Sequence, residues 1–587
     1  MRVLIGPLNR VEGAVGRGLA GLDALCFDRA GADVDFEPAT EPLEALWARL
    51  PAGWRPDCLI WWSPEYSLLP EGIDRCPVPS IAVLGDWNLG CWTTAPLLEA
   101  FDWVVTDRLG VLALRSQLGV PVDYWPAFSF DPAVHRPRPE IARDIDVLFV
   151  GNTNPDVQVE RARWLGRLAA LSSRHRVVLA SGVYGEAYGE LLARARIVWN
   201  RSIRGELNMR AYEAPAAGAL LLMEEDNLEV RDLFADGASC ALYGAANLET
   251  VIDRYLDDPA RLARVAEAGR QRVQEQTYGR HLERLLAAAR PLPRGPRPFA
   301  GLPAWRRDYW LGVHALCTAD PRRLAAALTC LQRAAAASPD PTAVAPALGV
   351  VAALAAADAA PADRDYRLGV ATRLLGAGLA THPDDVVTRA ALAWLLGLGG
   401  AADDARRHWQ TAHAQLGAGA PFPVDRVPLP FVFDRFRVEW ERGAQAADLD
   451  ARMGQFRPLL QARVAAELAA LEEAADPARP DGSVAWLVES VRAWPGIGGN
   501  LQRLAEQLEA AGDPAGAAAG FARVLEHNPF DRDARRAAVR LATAQGEGET
   551  VARLLAEARD IAAAAPEQVD LVTDMEALAV PAGSLHS

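Results

Sequence analysis

Lysine is absent from this sequence: all 61 basic residues among its 587 are arginine. That removes the phosphate lysine of P-loop proteins, the Schiff-base lysine of pyridoxal enzymes and the strand lysine of kinases. Any phosphate must be held by arginine, backbone amides or a helix N-terminus. Cysteine is scarce. The seven are scattered, with no CxxC and no matching histidine pair, a pattern of free thiols in a reducing, cytoplasmic setting without a zinc site. No run approaches the ~20 apolar residues that cross a bilayer, because Asp, Arg and Pro interrupt the alanine-rich stretches. No membrane span is expected, and Met1–Gly6 enters a strand directly rather than opening a signal peptide. The net charge of −15 offers no general basic face for nucleic acid.

What is present is ordinary globular composition, 50% hydrophobic and 23% charged, in a chain too long for one core. The first half alternates short apolar runs with amphipathic stretches, as in parallel α/β layers. Strands are expected at Val3–Ile5, Val34–Phe36, Cys58–Trp62, Ser80–Leu84 and Trp103–Thr106, with helices over Val15–Ala30 and Gly110–Leu118. The proline-bearing passage from Phe130 to Pro139 reads as a linker. A second series follows, with strands at Asp146–Gly151, Val177–Ala180, Ile197–Asn200, Leu220–Met223 and Ala241–Tyr243. Helices Pro259–Glu275 and Tyr278–Ala289 close it. Two such Rossmann-like lobes, 1–135 and 136–290, would form a ligand cleft at the C-terminal edges of their sheets.

After the stiff stretch Arg290–Pro298 the chain, 291–587, reads as helical. Ala327, Leu331, Ala334 and Pro339 carry tetratricopeptide spacing, as do Ala371, Leu375, Gly378 and Pro383, and Ala405, Trp409 and Ala412. The clearest unit is Leu501, Leu504, Ala505, Leu508, Ala517, Phe521, Val524 and Pro529. A tetratricopeptide-like solenoid is expected, with Pro421–Phe436 as an irregular insertion and a generic helical bundle as the alternative.

The chemistry concentrates in Ile197–Leu222. A strand ending at Asn200 leads through a loop to a short helix starting near Asn208, then Gly218 and another strand. Asn208 is a plausible N-cap, and the helix N-terminus suits a diphosphate. Arg210 in the first turn could make a bidentate phosphate contact. Glu213, a turn later, could accept from ribose hydroxyls. After the earlier strand, Gly151, Asn152 and Asn154 are further donor-site candidates. Ordinary alternatives stand beside these: a solvated Glu213, an Arg210 paired with a surface carboxylate, and a simple turn at Asn152 and Asn154.

The run Asn208-Met209-Arg210, Glu213-Ala214 and Ala217-Gly218 resembles the C-terminal lobe of glycosyltransferases of the spore maturation protein CgeB-like group. So do Asn227–Phe234, Tyr255–Pro259, Ala268-Gly269 and Thr277-Tyr278. The likeness is strong from about 146 to 286, weaker from 1 to 135, and does not extend to the repeats. It implies a GT-B fold, a nucleoside-diphosphate sugar as co-substrate held mainly by the second lobe, Glu213 on the ribose, and neither an obligatory metal nor a cofactor. Many retaining GT-B enzymes have seven residues between two glutamates. Here six separate Glu206 from Glu213, which leaves the role of Glu206 and the stereochemical outcome open.

In the first lobe, Asp86 and Glu12 are the candidate bases for an acceptor hydroxyl. Each could also be a turn or helix-start carboxylate, and His135 reads as a structural residue of the linker. Two DxD sequences, Asp33–Asp35 and Asp144–Asp146, precede their strands, the wrong end for a ligand site, so no metal is expected. The resulting expectation is sugar transfer to an acceptor hydroxyl, with a protein acceptor or partner brought by the repeats. The competing readings are an inactive transferase-like scaffold whose repeats bind partners, and a non-glycosyl sugar-nucleotide enzyme such as an epimerase.

Overall fold

A computed structural model describes the chain except for residues 10–12, 89–90, 154–158, 291–294, 296, 319, 358, 421–455, 478, 496–497, 569 and 580–587. Glu12, Asn154 and the Pro421–Phe436 stretch lie outside the described residues. The chain divides into two compact units, Met1–Ala127 with Tyr278–Leu471, and Phe128–Thr277 with Glu472–Ser587. Each joins one sheet to part of the helical region.

The first unit holds β1 (Val3–Gly6), β2 (Ala24–Asp28), β3 (Val34–Asp35), β4 (Cys58–Trp62), β5 (Ser80–Val83), β6 (Trp103–Thr106) and β7 (Val122–Tyr124). They form one parallel sheet in the order β3-β2-β1-β4-β5-β6-β7. Its strands are apolar on both faces, as a sheet covered on both sides requires. Leu4, Phe27, Leu59, Trp61, Ala82 and Val104 face a core shared with Phe299, Tyr309, Trp310 and Val313 of the helical region. Val3, Ile5, Cys26, Ile60, Ile81 and Val105 face the other, shared with Leu282, Leu285, Leu286 and Ala289. Helix Tyr278–Ala289 therefore packs on the first sheet, although it follows the second series in sequence.

One expectation needs correction. The helix expected over Val15–Ala30 is a single turn, Ala14–Arg17, followed by strand β2. Gly16, Gly18 and Gly21 break the helical run. A Cβ at Gly18 would come 2.9 Å from that of Tyr278, so the chain approaches another helix there too closely for a side chain.

The second unit holds β8 (Ile145–Val150), β9 (Val177–Ala180), β10 (Ala195–Trp199), β11 (Leu220–Glu224) and β12 (Ala241–Tyr243), a parallel sheet in the order β12-β11-β10-β8-β9. The chain runs outward from β8 to β9 and returns to place β10 on the other side of β8. The C-terminal ends of β8 and β10 thus flank a topological switch point, where ligands of open α/β sheets bind.

The helical region is a succession of helices packed consecutively in pairs, among them Ala304–Cys317 on Arg323–Ala337 and Gly498–Ala510 on Pro514–His527. Ala327, Leu331, Ala371, Leu375, Ala405, Trp409, Ala505, Ala517 and Phe521 are interior. A Cβ at Gly520 would lie 2.8 Å from that of Ala505, which shows how closely one such pair approaches. Arg297, at the end of the proline stretch, is buried in a 2.5 Å ion pair with Asp102 and donates to the carbonyls of Asp74 and Cys76. That end is fixed to the first unit. Among the described residues no helix is long and apolar enough to cross a membrane.

Candidate functional site

In the second unit the candidate residues gather at the switch point. Helix Met209–Ala216 starts after Asn208, whose backbone is extended as an N-cap's should be. The side chain, however, makes no capping bond. Its Oδ1 accepts from Asn200 Nδ2 at 3.0 Å, so the first-turn amides have no side-chain cap. Gly218, at φ 82°, ends the segment with the left-handed turn that only glycine adopts freely.

Asn200 is fully buried and orients its neighbours. While donating to Asn208, it accepts from Arg210 Nη1 at 2.7 Å through its side-chain oxygen, and its backbone carbonyl takes the Tyr243 hydroxyl at 2.9 Å. It is thus placed to position a site rather than to touch a ligand. Arg210 lies over the Phe149 ring, 4.5 Å from the centroid, and donates through Nε and Nη2 to the Val150 carbonyl at the end of β8. Gly151 makes room for it: a Cβ there would sit 2.5 Å from Nη2. Asn152 is exposed beside it.

A second guanidinium reaches the same ring. Arg161, 7% exposed on helix Val159–Ala169, stands 5.6 Å from the Phe149 centroid. It donates to the Arg201 carbonyl at 3.1 Å, and its Nε has no partner. Burial, reinforced by Arg210, pulls its pKa down to about 9, which still leaves it charged at neutral pH. Among the described residues no carboxylate forms an ion pair with Arg161 or Arg210. Nothing in the sequence sets Arg161 apart from the other arginines.

Glu213 is buried rather than solvated, 8% exposed. Its Oε2 accepts from Tyr188 Oη at 2.7 Å, and Oε1 lies 3.6 Å from His135 Nε2. Burial pushes its pKa up to about 7 against the opposing effects of Tyr188 and Arg210. The passage read as a linker is packed structure: Asp131, His135 and Arg138 are all buried. His135 therefore stands beside the candidate ribose-binding carboxylate. Glu206 turns into its own loop, accepting from the amides of Ile203 and Arg204 at 3.3 and 2.7 Å.

The packing of that segment depends on Gly189. A Cβ there would sit 2.6 Å from the Val134 carbonyl and 3.0 Å from Arg138 Nη2. Gly189→Ala is expected to destabilise the protein by about 1–3 kcal/mol through overpacking. Urea unfolding checks this, and an unchanged midpoint would show that the contact yields.

In the first unit, Asp86 follows β5 and accepts from Tyr66 Oη at 2.6 Å. Below it, buried Glu65 accepts from the amides of Gly85 and Asp86 at 2.9 and 2.8 Å. Burial pushes Glu65 up to about 7. Ser63, with φ 50°, starts the turn that brings Glu65 and Tyr66 there; such a conformation costs a non-glycine residue about 1–2 kcal/mol. Sequence reasoning named Asp86 as a candidate and did not single out Tyr66 or Glu65 beside it.

Both DxD sequences are engaged elsewhere. Asp144 pairs with Arg176 and Arg194, Asp146 with Arg196, and Asp33 accepts from the Cys26 amide. Among the described residues no group of three or more His, Cys, Asp or Glu could hold a metal ion.

Residues 134–287 match a family model described as glycosyl transferase-like. No curated protein matches the chain significantly. Among solved structures, sucrose-phosphate synthase from Thermosynechococcus elongatus is 14% identical, covering 49% of this chain and 99% of that one, with a TM-score of 0.35. HepE of Anabaena, in complex with UDP and glucose, is 12% identical over 49% of this chain and 100% of that one, with a TM-score of 0.37. A tetratricopeptide repeat protein from Parabacteroides merdae is 14% identical over 46% of this chain and 99% of that one, with a TM-score of 0.21.

Proposed function

We propose that this chain is a GT-B glycosyltransferase moving a sugar from a nucleoside-diphosphate sugar to an acceptor hydroxyl. One observation carries the reading. Two guanidiniums that form no ion pair among the described residues share the Phe149 ring at the switch point, beside helix amides without a side-chain cap and the buried carboxyl of Glu213. A diphosphate supplies the missing negative charge, and a ribose supplies hydroxyls for Glu213. The match of residues 134–287 to glycosyl transferase-like sequences supports the same assignment, and the CgeB-like group is the relative we favour within it.

Fixed guanidiniums and amides stabilise the leaving diphosphate as charge develops on it, the part a divalent cation plays in other transferases. Transfer is accordingly proposed to be metal-independent. The 1–135 lobe would take the acceptor, with Asp86 as general base. The helices of 291–587, read as a tetratricopeptide-like solenoid, would present a protein acceptor, all within the reducing cytoplasm.

A thermal-shift screen of UDP, ADP, GDP and their sugars, with and without EDTA, tests the donor site. A selective, EDTA-indifferent shift is expected, and no shift with any nucleotide would overturn the reading. With an acceptor in hand, Asp86→Asn should lower kcat roughly 100-fold or more at unchanged donor KM. An unchanged kcat would exclude Asp86 as the base.

A further inference from the structure

Three elements of the second unit converge on one carboxyl. Glu213 comes from helix Met209–Ala216, Tyr188 from helix Gly185–Arg194, and His135 from the segment leading to β8. The Asp131 amide donates to His135 Nδ1 at 3.1 Å, so in the neutral ring the proton sits on Nε2, the nitrogen facing Glu213. That segment is itself pinned. The His135 amide donates back to the Asp131 carbonyl at 2.8 Å, and the Ala133 amide to Asp131 Oδ1 at 3.0 Å. Buried Arg138 ties it to the Tyr188 helix through Glu186 at 2.7 Å, with Glu190 at 3.9 Å. The His135 and Tyr188 rings meet edge to face, centroids 5.6 Å apart.

We propose that His135 is a positioning residue for donor binding: with Tyr188 it clasps the Glu213 carboxylate from two sides and aims its remaining lone pairs at the ribose diol. The inference rests on the donor-site reading above. A carboxylate oxygen accepts more than one hydrogen bond. Tyr188, through its 2.7 Å hydrogen bond, and His135, through a polar contact at 3.6 Å that is longer than a hydrogen bond, can therefore fix the rotamer without exhausting the acceptor capacity that two vicinal hydroxyls require. A flexible glutamate would lose that geometry and bind the diol more weakly.

The test compares wild type with His135→Phe and His135→Gln in calorimetric titrations with UDP, ADP and GDP and with their 2′,3′-dideoxy forms. Phenylalanine keeps the ring and removes the donor; glutamine can place an amide N–H near the position of Nε2. His135→Phe is expected to weaken the bound ribonucleotide roughly 10-fold or more and to leave its dideoxy form unchanged. His135→Gln should recover most of the loss.

Equal loss for ribo- and dideoxynucleotides, or no loss, would overturn the positioning role while leaving the donor site standing. Absence of any nucleotide binding by wild type would instead overturn the donor site itself. Should His135→Phe fail to fold, Tyr188→Phe serves in its place. It too must cut the preference for the ribo form, or the clasp is wrong.

Discussion

Replacing Arg161 with glutamine is expected to weaken nucleoside-diphosphate binding roughly 100-fold with little loss of stability. Charge-assisted hydrogen bonds of a buried arginine to phosphate contribute about 1.5–3 kcal/mol each, and Arg161 keeps its Nε unpartnered. In the folded chain that charge is a burden. It is desolvated and lies near Arg210, an effect Glu206 and Glu224 offset only in part, and among the described residues it forms no ion pair. Removing it relieves the burial penalty but costs the bond to the Arg201 carbonyl. These effects oppose each other, and a melting temperature within about 3 °C of the parent is expected. Calorimetry with UDP, ADP and GDP reads the affinity. A variant that binds as tightly as wild type would show that the diphosphate lies elsewhere, and one that unfolds would show that Arg161 is structural. Arg161→Lys should not restore binding, because a point charge lacks the guanidinium's planar fork.

The second large effect separates stability from binding. Glu213 has a folded pKa of about 7 against an ordinary 4.5. Between these values the folded chain holds a proton that the unfolded chain has released, so stability falls as pH rises through this window. The full penalty, roughly 3 kcal/mol from the size of the shift, is present above pH 7. Glu213→Gln carries no such penalty. It should melt higher than wild type at pH 8 and match it near pH 4.5, while losing most of its affinity for ribonucleotides. Some pH dependence persists in the variant because buried Glu65 titrates in the same window. Equal melting temperatures at pH 8 would mean that Glu213 ionises in the fold without cost.

The alternation of apolar runs announced nearly every strand of both sheets, because strands buried on two faces have to be continuously apolar. β2 and β7 escaped notice: Val122–Tyr124 is only three residues long, and Ala24–Asp28 continues an amphipathic-looking stretch that the close approach at Gly18 interrupts. In the candidate site, Arg210 and Glu213 were legible from a helix start and a resemblance. Arg161 was not, since the absence of a partner is a property of packing that no spacing encodes. His135 was hidden by its prolines, which suggest a linker wherever they cluster. The burial of Asp131, His135 and Arg138 goes with the notch at Gly189, which admits Val134 and Arg138.

The first sheet is completed by residues that come late in the chain. Leu282–Ala289 cover one face, and Phe299 and Tyr309–Val313 add to the early helices on the other. During vectorial synthesis, β1–β7 therefore leave the ribosome with one face lacking its Leu282–Ala289 cover and the other covered only by early residues such as Leu46, Leu98 and Leu114, and some 150 further residues must be made before the late helices arrive. The sheet of the second unit can assemble from a contiguous stretch within that interval. Closing so long an intervening segment is slow relative to local helix formation, and exposed parallel strands are prone to aggregation. Truncation before Tyr278 should leave the first sheet insoluble, and the nascent chain has its greatest need of chaperone protection between the synthesis of β7 and that of Val313.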